Sequence, residues 1–129
     1  MSRSEAEKTR EPAVRTLAMP ADTNPSGDIF GGWIMAQMDI AGGIAAGQRA
    51  QGRVATVAVN AMEFHQPVYV GDLVSCYADV TRVGRSSITV RVETIVRRRR
   101  TGDSVKVTEG TFVYVALDAD GNPRPLPRE

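Results

Sequence analysis

IFGGWIMAQMDIAGGIAAGQ, residues 29–48, is the most informative stretch of this 129-residue chain. Asp39 is its only charged residue, and apolar or small residues occupy almost every other position. Such a pattern predicts a helix without a polar face, which lies inside a protein or spans a membrane. A membrane span is disfavoured because a central Asp opposes insertion by about 2.5–3.5 kcal/mol. The stretch therefore predicts a buried helix.

Small residues surround and interrupt this predicted helix. Asn24-Pro25-Ser26-Gly27 is a turn signal, and Gly31-Gly32 follows it at the start of the helix. Gly42-Gly43 lies inside the helix, where each glycine weakens it by about 1 kcal/mol relative to Ala. We therefore expect a sheet or a partner helix to pack very close to this glycine pair.

The rest of the chain is rich in alternating apolar and polar residues, which is typical of β-strands. Four long runs span Val54–His65, Leu73–Val83, Ser87–Arg97 and Ser104–Leu117. Short turns join the last three, which predicts an antiparallel meander. Ala13–Met19 is expected to be a first strand, before the helix.

The predicted order is one strand, one long helix and four strands. It indicates an α+β protein in which an antiparallel sheet of about five strands wraps around one buried helix. Such a unit has free sheet edges and a partly uncovered helix, so at least a dimer is expected. Residues 1–12 are predicted to be a flexible segment and residues 13–129 a single domain, which ends in a surface extension from residue 118.

Composition excludes several classes of protein. Hydrophobic residues make up 42% and charged residues 24% of the chain, as in ordinary globular proteins. The net charge is +1, so no overall field attracts nucleic acid or an anionic membrane. With one cysteine, Cys76, and one histidine, His65, no metal site is expected. The polar start MSRSEAEKTREP predicts a cytoplasmic protein.

Several runs resemble the hotdog-fold acyl-CoA thioesterases, specifically the bacterial short-chain acyl-CoA thioester hydrolases related to mammalian cytosolic enzymes. The longest is LAMPADTNPSGDIFGGWIMAQMDIAGGIAA, Leu17–Ala46. The others are GRVATVAVNAMEF from Gly52, PVYVGDLV from Pro67, VGRSS from Val83 and PRPLP from Pro123. The resemblance implies a hotdog fold and hydrolysis of acyl-CoA to free fatty acid and coenzyme A without a further cofactor. It also implies a homo-oligomer, a trimer of dimers.

Asp39 is the first candidate for chemistry. A carboxylate inside an otherwise uncharged helix costs several kcal/mol to bury unless a partner pairs with it. The residues alone leave open a structural Asp, bonded to a backbone amide or an arginine, and a functional one. The resemblance implies that Asp39 is the catalytic carboxylate. It either activates a water or attacks the thioester to form a mixed anhydride, and we favour the water.

Asn24, Gly31 and Gly32 are the next candidates. Asn24 by itself is a turn former, but the resemblance implies that it helps to hold the nucleophile or the thioester. It also implies that Asn24 of one subunit faces Asp39 of the other. The two glycines open the helix, whose N-terminus offers free N–H donors. The Gly32 amide is the candidate oxyanion hole, worth about 2.7–4 kcal/mol per donor, and Gly31 is a candidate contact for coenzyme A.

Arginines are candidates for the phosphates of coenzyme A, because forked guanidinium donors bind phosphate. Arg85 and Ser86, in the run VGRSS, are the predicted contacts. Arg97–Arg100 is expected to be a solvated strand end rather than one patch, because strand neighbours face opposite sides. His65 is expected to be an edge or surface residue, and Cys76 a small core residue.

Two other functions remain open. The signature of a hotdog enoyl-CoA hydratase has a His five residues after the Asp of Asp-x-Asn-Pro. Here Asp22-Thr23-Asn24-Pro25 is present, but Gly27 stands at the His position, so the acid–base pair is missing. A non-catalytic acyl-CoA-binding module has no reason to bury the charge of Asp39. Thiol release, crotonyl-CoA hydration and binding without turnover separate the three functions.

Overall fold

The computed structural model describes residues 10–128 as one α-helix packed on a five-stranded antiparallel sheet. The elements are β1 (Val14–Leu17), a 3-10 helix (Pro20–Asp22), α1 (Gly31–Ala50), β2 (Val54–Phe64), β3 (Leu73–Val83), β4 (Ser87–Arg97) and β5 (Ser104–Ala116). The strand order is β1-β3-β4-β5-β2. The predicted α+β arrangement is confirmed, and the predicted strands differ from the observed ones only at their ends.

Helix α1 lies across the sheet and buries one face against it. Its buried residues are Ile34, Met38, Ala41, Gly42, Ala46 and Ala50. They share a core with Ile88, Val90 and Val92, which alternate along the central strand β4. Because alternate side chains of a strand point to the same face, these three residues line the sheet beneath the helix. Full burial of each stabilises the fold by about 1.5–3 kcal/mol.

The outer face of α1 and the edge strand β2 remain uncovered in one chain. Ile40 is 53% exposed on the helix, and Val57 is 57% exposed on β2. An apolar patch beside a free strand edge is typical of a surface that meets another protein. Within residues 10–128, no helix combines the length and the apolar character that crossing a membrane requires.

The ends of the described chain pack on the domain. Of the segment predicted to be flexible, residues 1–12, the structure describes only the last three, and Arg10 forms an ion pair with Asp79 at 2.7 Å. In the C-terminal extension, the Arg124 guanidinium donates to the carbonyl oxygen of Ala50 at 2.8 Å. That carbonyl belongs to the last turn of α1, where helices lack internal donors. The C-terminal extension therefore caps the C-terminus of α1.

Candidate active site

Asp39 lies on a half-buried side of α1, where two hydroxyl groups from the sheet reach it. Thr56 Oγ1 on β2 donates to Asp39 Oδ1 at 2.7 Å, and the Tyr114 hydroxyl on β5 lies 2.9 Å from the same oxygen. Among the hydrogen bonds within residues 10–128, none reaches Oδ2. The carboxylate is thus held through one oxygen, while the other can accept a proton.

Tyr114 reaches Asp39 because Gly42 leaves room for its ring. A Cβ on Gly42 would lie 3.0 Å from Tyr114 Cζ and closer still to the hydroxyl oxygen. The close neighbour predicted for the glycine pair is therefore the sheet. Burial and the Asp39 carboxylate raise the pKa of Tyr114, so its hydroxyl stays protonated and remains a donor.

Sequence reasoning missed both hydroxyl partners of Asp39. Thr56 is 17 residues from Asp39 and Tyr114 is 75 residues away, so no local spacing connects them. The Gly42-Gly43 pair was the available signal, and it indicated close packing without identifying the neighbour.

The N-terminus of α1 is open to an incoming group. The first helix amide that donates to a backbone carbonyl is that of Ile34, to Phe30 at 3.2 Å. The preceding amides, including that of Gly32, are the donors that a helix leaves free. A Cβ on Gly32 would meet no described atom within 4 Å, whereas one on Gly31 would lie 3.4 Å from the Phe64 ring. Both glycines are exposed, and the space beside Gly32 is the more open, so its role as an oxyanion donor stays a prediction.

A surface pocket of about 280 Å³ adjoins this helix end. Gly31, Ile34, Phe64, His65 and Pro67 are among the residues that line it. Ile34, Phe64 and Pro67 give the pocket an apolar wall, and Gly31, the first residue of α1, is the helix glycine that lines it. Free amides at a helix N-terminus are a known means of stabilising a developing oxyanion.

Asn24 sits in the loop before α1, where its side chain organises the turn. Its Oδ1 accepts the amides of Ser26 at 2.9 Å and Asp28 at 3.1 Å. These are the bonds of a turn former. The side-chain NH₂ group of Asn24 remains the group that can face a ligand or another subunit.

The predicted catalytic groups of one chain do not meet. Asp39 follows Gly32 by seven residues, so about 10 Å of helix axis separates them at 1.5 Å per residue. One thioester carbonyl cannot contact both groups of the same helix. This separation agrees with the expectation that the site is shared between subunits, with Asn24 of one chain facing Asp39 of another.

Arg85 and Ser86 lie at the other end of the domain from Gly31. The carbonyl oxygen of Arg85 accepts the amide of Leu126 at 2.8 Å, in the extension that caps the C-terminus of α1. Gly31 is the first residue of that helix. The three predicted coenzyme A contacts therefore share a site only if a second chain brings its Arg85 and Ser86 to the helix N-terminus.

His65 is exposed, as expected of an edge or surface residue, and belongs to a charged network on β2 and β5. Its Nε2 lies 2.9 Å from Glu109 Oε2, and Glu63 is 3.7 Å away. Donor atoms of these three residues lie within 4.8 Å of one another, the spacing of a metal site. Arg91 and Lys106 already pair with Glu109. A cation there would have to displace them, so the geometry favours a salt-bridge network.

Glu109 is the centre of this network, and replacing it tests how much the network stabilises the fold. Hydrogen bonds from Lys106 and then His65 and Arg91 lower the pKa of Glu109 to about 2. A depressed pKa contributes stability above the ordinary pKa of the group, and this is lost as pH falls towards 2. We expect Glu109→Gln to lower the free energy of unfolding by about 1 kcal/mol at pH 7, since the cations are partly exposed.

Urea denaturation at pH 7 and at pH 3 measures this prediction. The difference in free energy of unfolding between wild type and Glu109→Gln should be smaller at pH 3 than at pH 7. Glu63→Gln is the matched control, because Glu63 is mostly exposed and 3.7 Å from His65, and it should change little at either pH. An equal difference in free energy of unfolding at both pH values would show that the charge of Glu109 does not stabilise the fold.

Cys76 is a core residue, as predicted, and offers no nucleophile. It is buried beside Thr94, with Sγ and Oγ1 3.4 Å apart. Burial raises the pKa of its thiol to about 11, so it stays protonated at neutral pH.

The arginine run departs from the expected strand end. Strand β4 stops at Arg97, and the next residues form the turn to β5. Alternation therefore ends there, and Arg98, Arg99 and Arg100 line one groove. The expectation that these arginines form no common patch is wrong, because it assumed strand geometry beyond Arg97.

Comparison with known proteins identifies the family. A sequence model described as the thioesterase superfamily matches residues 26–102. Acyl-CoA thioester hydrolase YciA of Salmonella typhimurium is 54% identical over 120 residues, which are 91% of this chain and 90% of that protein.

Two crystal structures share the fold. The hexameric thioesterase of Yersinia pestis has a TM-score of 0.88 and 55% identity, over 92% of this chain and 97% of that one. An aspartate-to-alanine variant of a hexameric broad-specificity acyl-coenzyme A thioesterase has a TM-score of 0.88 and 50% identity, over 92% and 87%. With its family match, these relatives and a long α-helix packed on a five-stranded antiparallel sheet, the chain belongs to the thioesterase superfamily and has the hotdog fold.

Proposed function

We propose that the protein is an acyl-CoA thioesterase that hydrolyses acyl-CoA to a free fatty acid and coenzyme A. The observation that carries the proposal is the Asp39 carboxylate, held through Oδ1 by Thr56 and Tyr114 with Oδ2 left to accept a proton. Relatives named as acyl-CoA thioester hydrolases support the substrate class. The crystallised aspartate-to-alanine variant of one of them agrees with a central carboxylate.

In the proposed reaction, Asp39 takes a proton from a water molecule as the water oxygen attacks the thioester carbon. The carbonyl oxygen becomes an oxyanion, which the Gly32 amide of a second chain stabilises. The carbon–sulfur bond then breaks, and coenzyme A leaves as a thiolate that takes up the proton held by Asp39. The fatty acid is released, and the Asp39 carboxylate is restored. Asn24 of that second chain holds the water or the thioester with its amide group. Arg85 and Ser86 remain proposed contacts for coenzyme A.

The proposed site is complete only in an oligomer, since Asp39 and Gly32 of one chain lie about 10 Å apart along the helix. The uncovered Ile40 and the free edge of β2 supply an interface. We propose a dimer assembled into a hexamer, as in the related structures described as hexameric. Light scattering at micromolar concentration should give six times the chain mass, and a monomer would remove the shared site.

The proposed chemistry uses no metal or organic cofactor, because a thioester is electrophilic enough for a carboxylate-activated water. Exhaustive EDTA treatment should leave hydrolysis unchanged. Loss of activity that zinc or magnesium restores would contradict this mechanism.

Thiol release from acyl-CoA substrates of increasing chain length tests the activity itself. A thiol-reactive dye should report turnover with at least one chain length. Hydration of crotonyl-CoA without thiol release would indicate a hydratase. Binding of acyl-CoA without turnover would indicate a binding module.

A further inference from the structure

The turn between β4 and β5 forms one wall of a groove of about 960 Å³. Arg98, Arg99 and Arg100 line this wall, and Tyr69 and Gly27 line other parts of the groove. The three guanidinium groups come from consecutive residues, which a turn, unlike a strand, can direct to one side. The groove is therefore a concentrated positive surface on a chain whose net charge is only +1.

Arg98 anchors the groove. Its guanidinium donates to the buried Asp72 carboxylate at 2.6 Å and to the Pro67 carbonyl at 2.9 Å. It also stacks over the Tyr69 ring, 4.8 Å from the ring centre. Since the negative charge of Asp72 neutralises that of Arg98, the net positive charge of the groove comes from Arg99 and Arg100.

Arg99 and Arg100 supply that charge. Among residues 10–128, neither forms an ion pair with a carboxylate. Arg99 packs its stem near Gly71, where an added Cβ would lie 2.7 Å from Arg99 Cδ. The side chain is thus supported along its length, while its charged end pairs with no carboxylate in the described part of the chain. Two neighbouring guanidinium groups suit phosphate, because each can donate two parallel hydrogen bonds to phosphate oxygens.

The groove and the pocket at the N-terminus of α1 are lined by neighbouring residues. Gln66, Pro67 and Val68 line that pocket, and Tyr69, the next residue, lines the groove. The Ile29 amide donates to the Val68 carbonyl at 3.3 Å, which ties the loop before α1 to this junction. The two cavities therefore lie close together near Val68 and Tyr69, so one extended ligand can contact both.

We infer that this groove binds the phosphate-bearing nucleotide end of coenzyme A, with Arg99 and Arg100 on the phosphates and the exposed Tyr69 ring beside the adenine. The inference rests on the proposed function, since it assigns the groove to the same substrate. It places the phosphate contacts at the β4–β5 turn in addition to the Arg85 and Ser86 contacts expected from sequence.

The test uses the double variant Arg99→Ala/Arg100→Ala in the intact protein and two matched substrates, butyryl-CoA and S-butyryl-pantetheine. Only the first carries the nucleotide. We expect KM for butyryl-CoA to rise about tenfold or more while kcat is unchanged, because charge-assisted bonds to the phosphates are lost. KM for S-butyryl-pantetheine should not change. Arg15→Ala, which removes an exposed charge on the edge strand β1 outside the groove, should match wild type on both substrates.

A binding measurement separates this inference from the proposed function. Wild type should bind adenosine 3′,5′-bisphosphate in calorimetry, and the double variant should bind it about tenfold more weakly, whether or not any thioester is hydrolysed. Absence of turnover in wild type would overturn the proposed function alone.

Three results would overturn the groove assignment. One is equal bisphosphate affinity in wild type and double variant. The second is equal affinity of wild type for inorganic phosphate and the bisphosphate, which indicates a general anion site. The third is an altered oligomer mass in the double variant, which indicates an interface between subunits.

Discussion

We expect Asp39→Asn to lower kcat by about 10²–10⁴-fold, the usual contribution of a general base, while KM changes little. The amide has nearly the shape of the carboxylate and still accepts the Thr56 and Tyr114 hydroxyls at its oxygen. An amide cannot take a proton from water at neutral pH, so the lost function is chemical rather than structural. Removal of a half-buried charge should leave the fold intact or more stable.

A thiol-release assay on purified hexamer measures this effect, with circular dichroism and oligomer mass as controls for folding. Asp120→Asn, in the exposed extension, is the matched control and should keep wild-type kcat. If Asp39→Asn retains more than about a tenth of wild-type kcat, the loss is smaller than a general base explains and Asp39 is structural.

Gly42→Ala should damage both stability and turnover. The added methyl group would lie 3.0 Å from Tyr114 Cζ, and the Tyr114 ring is stacked on Phe112 and cannot step aside cheaply. Overpacking of this kind costs about 1–3 kcal/mol. Helix and sheet must then separate at Asp39, which withdraws the Tyr114 hydroxyl from the carboxylate. We expect a lower free energy of unfolding together with a lower kcat.

Gly43→Ala is the matched control within the same glycine pair. Its Cβ would lie 3.8 Å from the nearest Tyr114 atom, an ordinary contact. Replacing glycine inside a helix should then stabilise the protein by about 0.5–1 kcal/mol and leave kcat unchanged. Urea denaturation gives the free energy of unfolding of both variants, and thiol release gives their kcat. Similar stability of the two variants would show that Tyr114 does not pack tightly against the helix.

Adding Tyr114→Phe to Gly42→Ala separates packing from hydrogen bonding. The double variant removes the oxygen nearest the new methyl group, so part of the lost stability should return. Turnover should stay low, because the Tyr114 hydroxyl no longer donates to Asp39 and only Thr56 holds the carboxylate. Full recovery of kcat in the double variant would mean that the Tyr114 hydroxyl plays no part in holding the carboxylate.

Local patterns in the sequence were enough to find the elements and the main candidate. The uncharged run around Asp39 specified one long helix, and alternation specified strands whose ends the structure moved by one or two residues. Helical and strand periodicity arise from neighbours a few residues apart, so a single sequence records them directly. The isolated carboxylate was visible for the same reason.

Only the tertiary structure decided what surrounds that carboxylate. Tyr114 meets Asp39 across 75 residues because β5 passes beneath the helix at Gly42, and no local spacing encodes that crossing. The end of β4 at Arg97 likewise decided that the next three arginines share one groove instead of alternating. Contacts between distant segments depend on how helix and sheet pack together, and that packing is a property of the whole chain rather than of any stretch within it.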